Sequence, residues 1–318
     1  MATFTELGDD DLRAIAAAFG LGAVETWSVV DAGTINSNYA LTTDGGRVFV
    51  RVNEGKAEAD VRYEAELVVQ LAAAGVPTPR PLAPAGEPFL VYDGHYISAF
   101  PWVAGGHIDV AETRAQHTQE VGAALARLHL AGHHATVPER FGIYTFDHLV
   151  ERFDGFSTSD DPALAAAIAD IADEIRWLQQ RAAERAAATR GIIHGDLFRD
   201  NVLFDGATLV ALIDFEQAST GSLVYDVAVC INDWCYRDAR FEAELVTALI
   251  AGYDSVRPLP RADRAALYTE ARLAAMRFTI TRITDVYLAG TGAEGKDFRD
   301  YLARLHWLRA AGELPKSR

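Results

Sequence analysis

Three side chains in one short stretch have the types and spacing for shared chemistry: Asp196, Asn201 and Asp214. They fall in HGDLFRDN (His194 to Asn201) and LIDFE (Leu212 to Glu216). A carboxylate and an amide oxygen are the hard ligands that Mg²⁺ takes. A second carboxylate held beside a hydroxyl can orient or accept its proton. Together they meet the needs of phosphoryl transfer from ATP, in which a protein mostly positions groups and stabilises charge. Asp196 would face the attacking hydroxyl. It need not be a strong base, because the transition state is loose and the proton can leave late. Asn201 and Asp214 would hold Mg²⁺ against the phosphates.

Such a trio needs a scaffold that holds it at one place. Asp196 follows the apolar run Gly191-Ile192-Ile193, which reads as a buried segment ending in a loop. Val202 to Phe204 and Leu209 to Ile213 read as strands around the turn Asp205-Gly206 and would return Asp214 to the end that carries Asn201. Upstream, a short helix over the first twenty residues precedes strands at 26–30, 38–43 and 47–52, the last two joined by Asp44-Gly45-Gly46. Residues 58–74 have helical spacing and stop at Gly75 before Pro77. Strands follow at 89–92 and 95–100 around Asp93-Gly94, and Pro101 to Gly106 reads as a linker. Beyond it, amphipathic, alanine-rich stretches predict helices at 112–131, 162–187, 222–236, 239–253, 262–288 and 297–311. The expected class is α+β: a small antiparallel-sheet lobe with one helix between its strands (1–103), and a large, mainly helical lobe (104–318).

The bulk numbers agree with two lobes. The chain has 318 residues, half of them hydrophobic, which is ample for a large core. A net charge of −16 without any basic run argues against nucleic acid or an anionic membrane as partner. Nucleotide remains compatible, because Mg²⁺ offsets phosphate charge. Acids stand near the N-terminus where a signal peptide would have lysines, and no apolar run is long enough to span a bilayer, so a cytoplasmic protein is expected. Cys230 and Cys235 are expected as buried free thiols. The sequence leaves monomer and homodimer open.

HGDLFRDN…LIDFE resembles the aminoglycoside phosphotransferase and choline kinase group, whose fold is the two-lobed protein-kinase-like one, and the likeness runs over nearly the whole chain. Within that group, Asn36-Ser37-Asn38-Tyr39, Arg127 to Gly132 (RLHLAG), HGDLFRDNVLF and Tyr225-Asp226…Asn232-Asp233-Trp234-Cys235 resemble the homoserine kinases of this fold. The resemblance implies Mg-ATP as donor and a small hydroxyl compound as acceptor, most closely L-homoserine. It implies further roles. Gly33 to Tyr39 would fold over the phosphates through backbone N–H groups, Ser37 and Asn38. Arg51 would stand where such kinases carry a phosphate-binding lysine, paired with Glu64; Phe100 to Val103 would be the adenine hinge, with Phe100 and Trp102. His194 would brace the catalytic loop, Asp226 would tie it down, and Glu216 would sit behind the metals. For the acceptor, Arg277 or Arg282 would meet the carboxylate and Asp233 the ammonium, with Asn36 nearby.

Two motifs are set aside. Gly290 to Lys296 nearly spells a Walker A loop, but Asp297 stands where Ser or Thr should hold Mg²⁺, and the segment joins two helices. His129, His133 and His134 lack partners at metal spacing and read as solvated or capping. Other acceptors need other pockets: a polycationic aminoglycoside needs an acidic cleft, and choline or ethanolamine an aromatic cage, for which Trp102, Trp234 and Tyr236 are candidates. A protein kinase would need a longer segment between Asp214 and the next helix. A non-catalytic nucleotide-binding module is the reading from another class.

Overall fold

Strand alternation builds the N-terminal lobe. The computed structural model describes residues 5–30, 36–291 and 295–316. Strands β1 (Val24–Val29), β2 (Ser37–Thr43), β3 (Gly46–Asn53), β4 (Leu90–Tyr92) and β5 (His95–Pro101) form one antiparallel sheet in the order β1-β2-β3-β5-β4. Neighbouring side chains on a strand point to opposite faces. Val48, Val50 and Val52 therefore share a face with Tyr39, Leu41 and Ile97, and helix α1 (Asp9–Phe19) covers it with Leu12, Ile15 and Ala16. Arg51, between two of those valines, points the other way, towards helix α2 (Glu58–Ala73). The apolar stripe of α2, Tyr63, Leu67, Val68 and Leu71, joins the large helical core and not the sheet's own cluster. α2 is thus the joint between the two halves, and it brings Glu64 to Arg51.

The rest is the helical lobe expected of a protein-kinase-like α+β fold: α3 (Ala115–Gly132), α4 (Phe146–Asp154), α5 (Ala165–Gln179), α6 (Ala182–Ala186), α7 (Leu223–Trp234), α8 (Ala243–Val256), α9 (Arg261–Arg282) and α10 (Phe298–Ala311). Three small strand pairs interrupt it. β6 (Arg190–Ile193) pairs with β9 (Ser219–Ser222), β7 (Val202–Asp205) with β8 (Thr208–Leu212), and β10 (Tyr236–Arg237) with β11 (Arg240–Phe241). The linker docks on the hairpin: Gly106 and Phe204 exchange both backbone hydrogen bonds at 2.8 Å, and a Cβ on Gly105 would sit 2.8 Å from Val210.

The sequence expectations differ from this structure in places. The helix expected at 162–187 is two, broken where Arg181 leaves helical geometry and lays its guanidinium 3.7 Å from the centre of the Trp177 ring. The one expected at 262–288 ends at Arg282 and passes into a single π-turn, Ile283–Tyr287. α4 and β9 have no counterpart in the expectations. α4 buries only Leu149 and Phe153, and Ser219-Thr220-Gly221-Ser222 has no apolar alternation.

Two contacts fix the helices that carry the site. α3 and α8 cross so closely that a Cβ on Gly122 would lie 2.0 Å from the Leu249 carbonyl oxygen, and one on Gly252 2.0 Å from that of Gln119. Glu174 of α5, fully buried, accepts from Arg272 Nε (2.8 Å) on α9 and from Arg309 Nε (2.9 Å) on α10. Removing one member of a buried charge cluster leaves the others uncompensated and costs about 3–5 kcal/mol. Glu174→Ala should therefore lower the unfolding free energy by about that amount, measured by denaturant titration. Both free thiols are buried as expected, and burial pushes their pKa values up. Among the described residues no helix is long and apolar enough to cross a membrane.

Candidate active site

β6 ends at Ile193, and the next three residues turn with Gly195 in the left-handed region (φ 80°), where glycine alone is free of strain. Asp226, fully buried in the first turn of α7, accepts from the backbone N–H groups of His194 (2.7 Å) and Gly195 (2.8 Å). Its Oδ2 also meets His129 Nε2 at 3.1 Å, and His129 Nδ1 lies 2.7 Å from the Tyr253 hydroxyl. Burial works against the Asp226 charge, but His129 and the backbone N–H of His194 outweigh it and hold the carboxyl below its ordinary range. His129 is therefore neither solvated nor a cap, because the α3–α8 crossing buries it under the loop that carries Asp196. Burial lowers the pKa of His194 and keeps it neutral, with Nε2 3.0 Å from the Ile213 carbonyl. His194 thus straps the loop to the segment that delivers Asp214.

Asp196 sits at the mouth of this loop, its side chain 30% exposed. Asn201 Nδ2 donates to the Asp196 carbonyl (2.7 Å), and Ile213 N–H donates to the Asn201 carbonyl (3.0 Å), so the hairpin brings the three residues of the motif together. Leu197 is fixed from below by Trp234 Nε1, which donates to its carbonyl at 3.2 Å. Arg277 reaches in from α9. Its Nη1 donates to the Gly195 carbonyl (2.7 Å) and lies 3.4 Å from Asp196 Oδ1.

Asp214 adopts φ 64°, a left-handed conformation that aspartate tolerates better than most residues and that concentrates at functional sites. Around it lies a charge cluster from both lobes. Arg51 donates to Glu64 (2.7 Å) and lies 3.3 Å from Glu216 and 3.6 Å from Asp214. Burial disfavours the Arg51 charge, but these three carboxylates more than restore it and raise its pKa. Lys56 Nζ lies 2.5 Å from Glu216, and Asn36 Nδ2 donates to the same carboxylate. Burial, then the neighbouring Glu216, pushes the Asp214 carboxyl up to about 7, against the pull of Arg51. A carboxyl so placed is short of positive charge, and a divalent cation would supply it. No cluster of three His, Cys, Asp or Glu among the described residues could enclose a metal. Mg²⁺ needs no such cluster, being held through one or two protein oxygens and substrate phosphates. With its Nδ2 engaged by Asp196, Asn201 has its Oδ1 for that purpose.

The sequence matches the phosphotransferase enzyme family over residues 26–259. The chain belongs to that family. It is similar end to end to two homoserine kinases: that of Methylobacterium radiotolerans, 34% identical over 98% of this chain and 97% of the relative, and that of Gluconacetobacter diazotrophicus, 36% identical over 99% and 98%. Among solved structures, a spectinomycin phosphotransferase in complex with ADP and spectinomycin superposes with a TM-score of 0.73 at 14% identity, covering 98% of this chain and all of that one. The protein-kinase-like fold and phosphoryl transfer to a hydroxyl acceptor, both expected from the motif's resemblance, are those of this phosphotransferase.

Other expected site residues of the phosphotransferase are placed as follows. Ser37 opens β2 and donates to Glu54 Oε1 (2.7 Å) while accepting from Thr5 N–H (3.0 Å), so its hydroxyl is already engaged. Asn38 pairs with Arg51 across β2 and β3. Residues 33–35 of the expected phosphate loop, like 292–294 of the Walker-like segment, lie outside the described residues. In the hinge, Trp102 N–H donates to the Arg47 carbonyl (3.1 Å) and its ring carries Arg47 at 3.5 Å; Phe100 pairs with Phe49 in the sheet. Asn36 joins the Glu216 cluster together with Arg51 and Lys56. Asp233 Oδ2 accepts from Arg199 N–H (2.9 Å) and Nη1 (3.2 Å). Arg282 Nη1 donates to the Asp297 carbonyl (2.8 Å) and to Asp300 (3.2 Å). Sequence reading missed Lys56 and Tyr144, whose ring lies 4.2 Å from the Arg277 guanidinium. Neither stands at a motif spacing; Lys56 is one of only three lysines, a weak signal that was available.

Proposed function

We propose that this phosphotransferase moves the γ-phosphoryl group of Mg-ATP to the hydroxyl of L-homoserine, giving O-phospho-L-homoserine on the way to threonine. The observation that carries this reading is the juxtaposition of Asp196 and Arg277. A buried guanidinium 3.4 Å from the carboxylate that receives the hydroxyl suits an acceptor whose own carboxylate lies a few atoms from that hydroxyl. The end-to-end similarity to proteins named homoserine kinase supports the same acceptor.

In this account residues 1–103 hold the nucleotide and 104–318 the acceptor. Asp196 orients the hydroxyl. Its oxygen forms the new bond to the γ-phosphorus, the bond from that phosphorus to the β–γ bridging oxygen breaks, the proton passes to Asp196, and ADP leaves. Arg51 and Lys56 face the phosphates from the small lobe. Mg²⁺, held through Asp214 and Asn201, would offset phosphate charge when bound. The rival acceptors fare worse. A polycationic aminoglycoside would meet a buried arginine next to the base. The candidate cage for choline is dispersed: Trp102 carries Arg47, Tyr236 carries Arg304 at 4.5 Å, and Trp234 is buried.

ADP release with Mg-ATP against L-homoserine, L-serine, choline, ethanolamine and kanamycin tests the reading. Saturable turnover is expected with L-homoserine. Turnover confined to another acceptor would refute the substrate and keep the catalytic trio.

A further inference from the structure

A cavity of about 180 Å³ opens beside the catalytic loop, lined at that end by Gly195 and Arg277. Glu270, Leu273 and Arg277 are spaced three and four residues apart, so one face of α9 forms a wall. Buried polar atoms normally find partners. Here five side-chain atoms make no hydrogen bond: Arg277 Nε, the Tyr225 hydroxyl, Ser222 Oγ, Glu270 Oε2 and Arg185 Nε, the last held only by an ion pair. All five residues line this one cavity.

The unpartnered atoms differ in kind along it. Near Asp196 are donors: Arg277 is 3% exposed, and the Tyr225 hydroxyl lies against its guanidinium without a hydrogen bond of good geometry. The Tyr225 hydroxyl is also within electrostatic reach of both Asp196 and Glu270. Glu270 is a carboxylate only 1% exposed, with Oε1 3.4 Å from Arg185 Nε and Oε2 without partner. Burial raises its pKa against the opposing pull of Arg185, so its charge is incompletely compensated. Such a group favours a second cation with N–H donors. A guanidinium and a hydroxyl donor at one end and a buried carboxylate beyond them match the head of an α-amino acid.

We propose that this cavity seats the amino-acid head of the acceptor, with Arg277 and Tyr225 taking the α-carboxylate and Glu270 taking the ammonium. The assignment rests on the homoserine reading and deepens it. Glu270 takes the part that the sequence suggested for Asp233, which already accepts two hydrogen bonds from Arg199 and is not in the cavity wall.

The test compares L-homoserine with 4-hydroxybutyrate, which keeps the hydroxyl and carboxylate and lacks the ammonium. Glu270→Gln, which preserves shape and removes charge, should raise KM for L-homoserine about 10- to 100-fold, the usual range for a hydrogen bond to a charged group. The loss should fall on KM more than kcat, the preference for L-homoserine over 4-hydroxybutyrate should collapse, and KM for Mg-ATP should hold. Tyr225→Phe should weaken both acceptors alike, and serves if Glu270→Gln does not fold. Unchanged KM and preference in Glu270→Gln, or a Tyr225→Phe without effect on either acceptor, would mean a water-filled cavity and overturn the assignment while homoserine turnover stands. Calorimetric binding of L-homoserine separates the two claims. Binding that depends on Glu270 without any turnover would refute the phosphotransfer reading and keep the head site, whereas absence of both would refute both.

Discussion

Asp196→Asn is expected to lower kcat by about 10³-fold, within the range that a positioned acid or base contributes. The carboxamide keeps the size of the side chain and removes the group that accepts the hydroxyl proton. The loop itself should survive, because its shape depends on the Asp196 main-chain carbonyl, which accepts from Asn201, and on Asp226 beneath His194 and Gly195. Nucleotide affinity should accordingly stay near wild type. Single-turnover assays with calorimetric ATP binding separate the two. A variant retaining more than about a tenth of wild-type turnover would remove Asp196 from the role of base.

The second large effect is expected at Asp214. Asp214→Asn should lower kcat/KM for Mg-ATP by about 10²-fold or more, since the loss falls on the charged metal ligand. The same residue predicts a pH dependence. Its folded-state carboxyl, raised to about 7 by burial and then Glu216, lies above the ordinary 3.8 of aspartate. Without metal, the folded protein holds this proton between those values and the unfolded chain does not. The group's contribution to stability is therefore present at low pH and lost as pH rises through about 7. A cation replaces the proton. The side chain is 45% exposed, so solvent screens the effect on stability, and the response to Mg²⁺ is the clearer readout. Adding Mg²⁺ should raise Tm more at pH 8 than at pH 5.5, and Asp214→Asn should flatten that difference. An equal shift at both pH values would argue against Asp214 as the metal ligand.

Much of this was legible in the sequence because its signals are local. Period-two alternation with Asp-Gly and Gly-Gly turns located all five strands of the sheet within a residue or two, and the resemblance paired Arg51 with Glu64, which it meets at 2.7 Å. The turn at Asp205-Gly206 brought Asn201 and Asp214 together. What stayed hidden depends on contacts between distant segments. Asn36, Lys56 and Glu216 converge only when the sheet closes on the helical lobe. His129 looked like a helix-end histidine, yet two glycines far apart in sequence, Gly122 and Gly252, draw α3 and α8 close enough to bury it beneath Asp226. The bond from the Ser37 hydroxyl to Glu54, a residue of the turn beyond β3, was likewise invisible in one dimension. Glu270 and Arg185 carried no motif, and a cavity with unpartnered walls has no one-dimensional signature.

The most direct test of the account is to identify the product. Wild-type protein incubated with Mg-ATP and L-homoserine, followed by ³¹P NMR and mass spectrometry, should yield O-phospho-L-homoserine in step with ADP. ADP accompanied only by inorganic phosphate, or by a phosphate ester of no amino acid tested, would contradict it.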